Sequence, residues 1–506
     1  MARTRTLTDL LRAADIHPLS APGADPEVHG VCLDSRRVAK GELFLALPGA
    51  RRNGDEFVPE ALSRGACAVL SGSPRPDWLP RETAWVQVGH PRSAAGLLAR
   101  EVFGRPDESL CLVGITGTNG KTTTSYLVES IARAAGRTPG RIGTVGYACG
   151  GRERAAPHTT PEAPDLYRML AEMRAEGADV VVMEVSSHAL ALGRVEGARF
   201  RIAALVSFGR DHLDFHGSLD AYFDAKALLF ERLDPAHGIA VVPADDPAGA
   251  ALARRTPARV LTFGRSKDAS VRLRDERCDL GGCSAVLDTA RGELPLRTSL
   301  IGRFNLDNIA AAAACALAAG FPSEAIPAGV AALASVPGRV ERVDQGQPFA
   351  VLVDYAHTPD ALARLLASVR EVVAGRLLLV FGCGGDRDRG KRPEMGRVAA
   401  EGADLAFLTS DNPRDEDPAA ILRQIEAGIR AVPGGLERRQ VIADRTEAVR
   451  AALEAARPGD AVLVAGKGHE ATQTIGDRIL PLDDREIVRE ALSGAGFAGR
   501  GTHAEA

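Results

Sequence analysis

Gly114-Ile115-Thr116-Gly117-Thr118-Asn119-Gly120-Lys121-Thr122-Thr123 follows an apolar run at 110–113 and opens an amphipathic, helix-like segment. A glycine-rich turn between a strand and a helix sets backbone amides where phosphate oxygens can sit. A lysine there adds a point charge, and the hydroxyl after it suits Mg²⁺. Gly117, Thr118, Asn119, Gly120, Lys121, Thr122 and Thr123 are therefore the candidate phosphate cradle, with Lys121 at the terminal phosphates and Thr122 on the metal. Five residues separate Gly114 from Gly120 where the usual P-loop has four, so the ordinary P-loop ATPases and GTPases fit less well than a variant. A Gly/Thr turn without a ligand is the alternative.

Outward from the cradle, runs at 111–115, 179–185, 203–207 and 238–242 are β-branched or alanine-rich and are separated by helix-length segments. That alternation predicts a mainly parallel sheet covered on both faces. The stretch at 260–300 is less regular and admits an antiparallel hairpin. An alanine-rich helix at 308–319 precedes Ser335-Val336-Pro337-Gly338-Arg339, where a boundary is expected. Beyond it, runs at 349–355, 376–381, 403–408 and 460–465 predict a second open, Rossmann-like α/β sheet. Before the cradle, strand-like runs at 30–33, 43–47, 66–70 and 84–88 alternate with helical stretches, and Gly104-Arg105-Pro106-Asp107 reads as a linker. The expected fold class is α/β in three domains: a small one at 1–106, the P-loop-containing one at 107–336 and a third at 337–494. The tail at 495–506 is expected to fray.

The length of 506 residues suits about three domains. A net charge of -4 without a basic stripe gives no reason to expect nucleic acid. No apolar run approaches the roughly 20 residues of a membrane span, and the N-terminus lacks a signal-peptide apolar core. A cytoplasmic protein is expected. The eight cysteines are scattered without a CxxC, the closest pair being Cys278 and Cys283; they read as small reduced core residues rather than a disulfide or zinc framework.

Six lysines stand against 56 arginines. Where charge alone matters arginine has taken over, so the remaining lysines mark positions that need an amine or a compact charge. Of Lys40, Lys121, Lys226, Lys267, Lys391 and Lys467, four lie in conspicuous motifs. Lys226 falls on a helix-like stretch at 218–229 among apolar neighbours, which calls for a carboxylate partner or a chemically altered amine. In open α/β sheets ligands gather at strand carboxyl ends. Glu184 ends such a strand in Met183-Glu184-Val185-Ser186-Ser187-His188, and Mg²⁺ beside phosphates would give it a partner; a surface-facing glutamate is the plain alternative. His212, in Arg210-Asp211-His212, is a second candidate ligand, although a lone histidine is more often structural.

These motifs together resemble the Mur ligases, ATP-dependent amide-forming enzymes of peptidoglycan precursor synthesis. Gly117 to Thr123, Glu184-Val185-Ser186-Ser187-His188, Asp211-His212, Lys226 and Asn305 to Asn308 carry the likeness. Asp34-Ser35-Arg36, His158-Thr159-Thr160-Pro161, Asp354-Tyr355-Ala356-His357, Gly384-Gly385-Asp386-Arg387, Asp411-Asn412-Pro413-Arg414 and Gly466-Lys467-Gly468-His469-Glu470 narrow it to the third-residue-adding, MurE type. The resemblance implies that Leu33 and Ser35 touch the UDP portion of UDP-N-acetylmuramoyl-L-alanyl-D-glutamate, and that Thr159, Thr160, Ser186 and Arg194 hold its muramoyl dipeptide. It implies ATP contacts at Asn308, Arg339, Asp354 and His357, with Arg339 reaching the transferring phosphate as the domains close. It implies Mg²⁺ on Thr122, Glu184, His212 and Lys226, the last carrying a CO₂-derived carbamate. The incoming meso-diaminopimelate would meet Arg387, Asp411, Asn412, Pro413, Arg414, Gly466 and Glu470, with Arg414 on its distal carboxylate.

The chemistry so implied has the D-glutamyl γ-carboxylate attack ATP, forming an acyl phosphate that the amino group of the third amino acid then opens. Lys121, Lys226, Glu184, His212 and Arg339 are the expected catalytic group, and no protein nucleophile is required. A single-chain enzyme without nucleic-acid or membrane partners is expected. Two other readings stay open at this point: a related ligase of the folylpolyglutamate or cyanophycin type, and a P-loop ATPase that is not a ligase.

Overall fold

The computed structural model describes residues 5–49 and 52–497. Three main sheets follow one another along the chain. The first holds the parallel strands Gly30–Cys32, Glu42–Ala46, Ala68–Ser71 and Ala84–Gln87 in sequence order. Both its faces are apolar: Phe44, Val69 and Trp85 pack with Val58 on one, and on the other, under the helix Pro91–Val102, the cluster containing Leu43, Leu70, Val86 and Leu98 continues into Leu112 and Leu170 of the next unit.

The second sheet has eleven strands. At its heart Cys111–Thr116 lies between Val180–Glu184 and Ile202–Leu205, parallel to both. Strand order reverses around Cys111–Thr116, which is where an open α/β sheet presents its crevice. Val180–Glu184 is buried at every position, as a parallel strand covered on both faces must be. The helix Lys121–Ala134 packs on one face together with Arg303–Ala318. Ala310 to Ala314 of the latter are fully buried, and their small side chains allow that close approach.

The third sheet runs Glu341–Arg342, Ala350–Asp354, Ala461–Ala465, Leu377–Phe381, Leu405–Leu408, Arg439–Val441. The strand Ala461–Ala465 enters between two earlier ones, parallel to both. The loop after it therefore sits at the centre of the carboxyl edge. Among the described residues no helix is long and apolar enough to cross a membrane.

Two sequence expectations need correction, one is borne out and extended, and one group of strands is new. The stretch 104–107 is no open linker: Asp107 is buried and accepts two hydrogen bonds from Arg100 Nε (3.0 and 2.9 Å) and one from Arg199 N (3.1 Å). The irregular region at 260–300 is a three-stranded antiparallel meander, Val271–Asp279, Gly282–Thr289 and Gly292–Thr298. Cys278 and Cys283 stand directly opposite in that meander and form a disulfide, so not all eight cysteines are reduced. The strands Pro139–Ile142, Tyr147–Cys149 and Arg152–Arg154 were not foreseen. The expected fraying tail lies for the most part, at 498–506, outside the described residues.

Candidate active site

The chain enters the helix Lys121–Ala134 through Gly120, whose φ of +85° lies in the left-handed region. A Cβ there would stand 2.3 Å from Asn308 Oδ1, so glycine alone lets the buried Asn308 lie against the loop. Asn308 is steadied by donating to Asn305 Oδ1 at 3.0 Å. Thr118 Oγ1 accepts from Gly209 N (3.0 Å), and Asn119 N donates to Ser207 Oγ (3.0 Å), tying the loop to the end of the neighbouring strand. Thr123 is buried on the inner face of the helix.

Two ammonium groups converge on one carbonyl. Lys121 Nζ donates to Gly117 O (2.8 Å) and Thr118 O (3.1 Å), and Lys226 Nζ donates to Gly117 O (3.0 Å). Lys226 is 1% exposed, with Nζ 4.4 Å from the centroid of the Tyr222 ring. Desolvation, and next the charge of Lys121, push the Lys226 amine well below its ordinary pKa. Desolvation lowers Lys121 as well, Arg339 adding to it while Glu184 and Asp211 oppose.

Glu184, fully buried at its strand end, accepts from Thr122 Oγ1 (3.1 Å), Thr144 N (2.9 Å) and Thr144 Oγ1 (3.0 Å). Thr122 Oγ1 in turn accepts from Arg339 Nη2 at 3.1 Å. The arginine expected to arrive on domain closure thus already touches the cradle, its guanidinium 4.8 Å from the Tyr355 ring centroid. Its buried Nε has no partner among the described residues.

The same network gathers the residues expected at the muramoyl dipeptide. Thr159 Oγ1 lies 3.1 Å from Thr144 Oγ1; Thr160 Oγ1 donates to Glu184 O (2.9 Å) and accepts from Ser186 N (3.1 Å). Ser186 caps the helix Ser187–Ala191, and Arg194 pairs with Glu162 at 2.8 Å while donating to Thr160 O (3.3 Å). Thr144 escaped the sequence reading. It follows the short strand Pro139–Ile142, and recognising that strand would have placed it at a carboxyl edge beside Glu184.

His212 stands apart from this network. It has a left-handed φ of +53°, its side chain is 43% exposed, and its ring packs edge-on against His188 with centroids 4.7 Å apart. Desolvation lowers its pKa, with Lys121 and Lys226 adding to the effect against Asp211. Among the described residues no cluster of three or more His, Cys, Asp or Glu side chains is poised for a metal. The oxygen donors Thr122 and Glu184 fit a hard cation such as Mg²⁺; Lys226 fits only once its amine has become an anionic carbamate.

In the first unit Ser35 Oγ donates to Glu60 Oε2 at 2.6 Å and Leu33 is half-buried against the core, so the serine hydroxyl already has an internal partner. Asp354 is buried and accepts from Val340 N (2.8 Å) and Ala356 N (2.7 Å), which anchors the loop bearing Arg339. Burial raises its pKa, opposed by Arg339 and those amides. His357 Nδ1 lies 2.9 Å from Tyr355 O, and desolvation followed by Lys391 keeps its ring neutral to lower pH than usual.

The third sheet gathers at its carboxyl edge the residues expected to meet the amino acid. Asn412 Nδ2 donates to Glu470 Oε2 (3.1 Å), and Asp411 and Pro413 are buried beside it. A Cβ on Gly466 would stand 2.8 Å from Asp411 Oδ2. Arg414, at a left-handed φ of +52°, donates through Nη1 to Gly385 O at 2.7 Å. Arg387 is exposed, bonded among the described residues only to Asp386 O (3.1 Å), and lies with Arg414 beside Gly384.

Comparison with known proteins bears on all three units. Residues 27–102 match the model described as Mur ligase family, catalytic domain; 115–316 match Mur ligase middle domain; 338–468 match Mur ligase, glutamate ligase domain. The chain is 46% identical over 482 residues to the UDP-N-acetylmuramoyl-L-alanyl-D-glutamate--2,6-diaminopimelate ligase of Solibacter usitatus (strain Ellin6076), covering 95% of this chain and 96% of that one. It is 44% identical over 479 residues to the ligase of that name from Geobacillus kaustophilus (strain HTA426), covering 94% and 96%. A solved structure of a ligase of the same name superimposes with a TM-score of 0.69 at 33% identity, covering 98% of this chain and 100% of that one. MurF from Acinetobacter baumannii shares the fold alone, with a TM-score of 0.65 at 20% identity over 98% of this chain and 99% of that one. With the cradle loop, the buried Glu184 and the Asp411–Arg414 loop all inside matching segments, and full-length relatives of 46% and 44% identity, the chain belongs to the Mur ligase family.

Proposed function

We propose that the chain joins meso-diaminopimelate to the D-glutamyl γ-carboxylate of UDP-N-acetylmuramoyl-L-alanyl-D-glutamate, converting ATP to ADP and phosphate, in peptidoglycan precursor synthesis. The observation that carries this reading is the contact between Arg339 and Thr122, which joins the phosphate cradle to the amino-acid-bearing unit. The full-length relatives named for that reaction support the choice of substrates. The folylpolyglutamate alternative has only a fold-level likeness at 20% identity, with a TM-score of 0.62 over 74% of this chain and 92% of that one.

The γ-carboxylate and the γ-phosphate are both anions, and the barrier to their meeting is electrostatic. Lys121 and the Gly117 to Thr123 amides receive the phosphates, and Arg339 adds a guanidinium from the third unit, as an arginine finger does. Thr122, Glu184 and a carbamylated Lys226 would hold Mg²⁺, with His212 nearby, and the metal when bound supplies further positive charge. The lowered pKa of Lys226 favours the carbamate, since only a neutral amine adds to the carbon of CO₂, releasing one proton and leaving an anion. Once the acyl phosphate exists, Glu470 and Asn412 hold the head group of diaminopimelate and Arg414 its distal carboxylate, with Arg387 at the rim. Its free amine attacks the acyl carbon and phosphate leaves. Residues 1–106 would hold the uridine nucleotide, 107–336 the ATP and 337–494 the amino acid.

The test is phosphate release by the purified protein with ATP and the UDP-linked dipeptide, with and without meso-diaminopimelate. Release that requires the amino acid, with a product heavier by one diaminopimelate less water, is expected. Release indifferent to the amino acid would indicate an ATPase that is not a ligase.

A further inference from the structure

Lys467 is fully buried in a chain that uses arginine almost everywhere else. The turn that buries it has Gly466 at φ +115° and Gly468 at φ +54°. A Cβ on Gly468 would stand 2.7 Å from Tyr355 Cβ and 2.8 Å from Gly338 O, so the loop is pressed against its neighbours and its lysine turns inward. There Nζ donates to Thr472 O (2.6 Å), Glu470 Oε2 (3.3 Å) and Asn412 Oδ1 (3.4 Å). An ammonium has three N–H bonds, and here each has one acceptor.

We propose that Lys467 is a positioning residue of the amino-acid pocket, holding Glu470 and Asn412 in the arrangement that receives the head group of the incoming amino acid. The inference deepens the proposed function and rests on its assignment of that pocket. Asn412 Oδ1 also accepts from Thr474 N at 3.0 Å, and a backbone N–H can only donate, so the amide orientation is set. Lys467 and Thr474 hold the oxygen, and Nδ2 is turned to Glu470. Glu470 Oε2 is thereby occupied by both Lys467 and Asn412, while Oε1 meets, among the described residues, only the Tyr355 hydroxyl at 3.4 Å. Oε1 is the oxygen left to accept the amino acid's ammonium. A planar guanidinium would not serve, because its donors lie in one plane and the three acceptors surround a single point.

The test compares wild type with Lys467→Met, Lys467→Gln and Lys467→Arg in steady-state kinetics, varying the amino acid, ATP and the UDP-linked dipeptide in turn. The expected result is an amino-acid KM raised by about 10-fold to 100-fold, the size of losing a charged hydrogen bond. The KM values for ATP and the dipeptide stay within twofold, and Lys467→Arg does not rescue. An unchanged amino-acid KM in a folded variant, or all three KM values rising together, would overturn the proposal. Should Lys467→Met fail to fold, Lys467→Gln, which keeps two donors, carries the same comparison. Wild type that turns over with another amino acid and not with diaminopimelate would count against the substrate assignment; Lys467 is then judged with the amino acid that wild type does use.

Discussion

Two regions of the site each bury lysine at the carboxyl edge of a parallel sheet and treat its charge in opposite ways. In the proposed phosphate cradle the hydrogen bonds that Lys121 and Lys226 give, among the described residues, all go to backbone carbonyls. In the proposed amino-acid pocket Lys467 is met by a carboxylate, an amide oxygen and a carbonyl. Carboxylates act on these lysines only from a distance, and a buried cation that no carboxylate hydrogen-bonds is costly. It therefore suits a position whose guest is an anion, or whose amine is to be converted into one. A compensated lysine suits a pocket for a zwitterion, where net charge would favour one end of the guest over the other. The two regions meet at a single loop, where Gly338 packs on Gly468 and Arg339 reaches Thr122.

The difference breaks first at Lys226. Lys226→Ala is expected to lose at least about 100-fold in kcat, as removal of one preorganised electrostatic group does. Formate or acetate should restore part of it by returning an anion to the site. Full activity of the variant without added anion would show that the amine serves only to pack the helix Leu219–Glu231. Next comes Arg339→Lys, which replaces a fork by a point charge. We expect kcat to fall by about 10-fold to 100-fold at saturating ATP, with ATP affinity within a few-fold. Weaker binding with unchanged turnover would confine Arg339 to the ground state.

On the amino-acid side, Arg414 tests whether the pocket's balance extends to the far end of its guest. Removing one charge-assisted partner costs about 2 to 4 kcal/mol, roughly 30-fold to 1000-fold in rate. Arg414→Ala should lower kcat/KM for meso-diaminopimelate by that factor relative to L-lysine, which lacks the distal carboxylate. An unchanged ratio would release Arg414 from substrate and leave it as a brace on Gly385 O.

Much of this arrangement was legible in the sequence where the physics is local. The strands Val180–Glu184, Leu377–Phe381 and Ala461–Ala465 read as apolar runs because parallel strands are buried on both faces. Pro139–Ile142 was not legible: it contains a proline, a glycine and Arg141, whose buried charge is balanced by Glu129 (2.6 Å) and Glu153 (2.7 Å) from elsewhere in the chain. Missing that strand hid Thr144. Asp107 looked like a linker residue for the same reason, since its partner Arg100 lies on a preceding helix. The Cys278–Cys283 pair depended on a strand register that cysteine spacing does not reveal. Motif residues were found because their loops are contiguous; what each hydroxyl already bonds, as Ser35 does Glu60, required the fold.

The smallest expected effect uses pH to test whether the two regions are coupled. His469 lies in the amino-acid loop, yet its pKa is lowered to about 4, by desolvation first and then by the charges of Arg339 and Arg485, against Asp483. Between about 4 and the ordinary histidine value near 6.5, the unfolded chain binds a proton that the folded chain refuses. Stability contributed by the neutral ring is thus fully present above about 6.5 and is lost as pH falls towards 4, with no further change below. The ring is partly exposed, so the loss at pH 5 is on the order of 1 kcal/mol. Thermal melts of wild type and His469→Gln should run parallel above pH 6.5 and separate below it, wild type falling faster. In an Arg339→Gln background the separation should shrink, because one of the two guanidinium charges that repel the proton is gone. Equal separation in both backgrounds would mean that Arg339 and the amino-acid loop share a surface without sharing their charge.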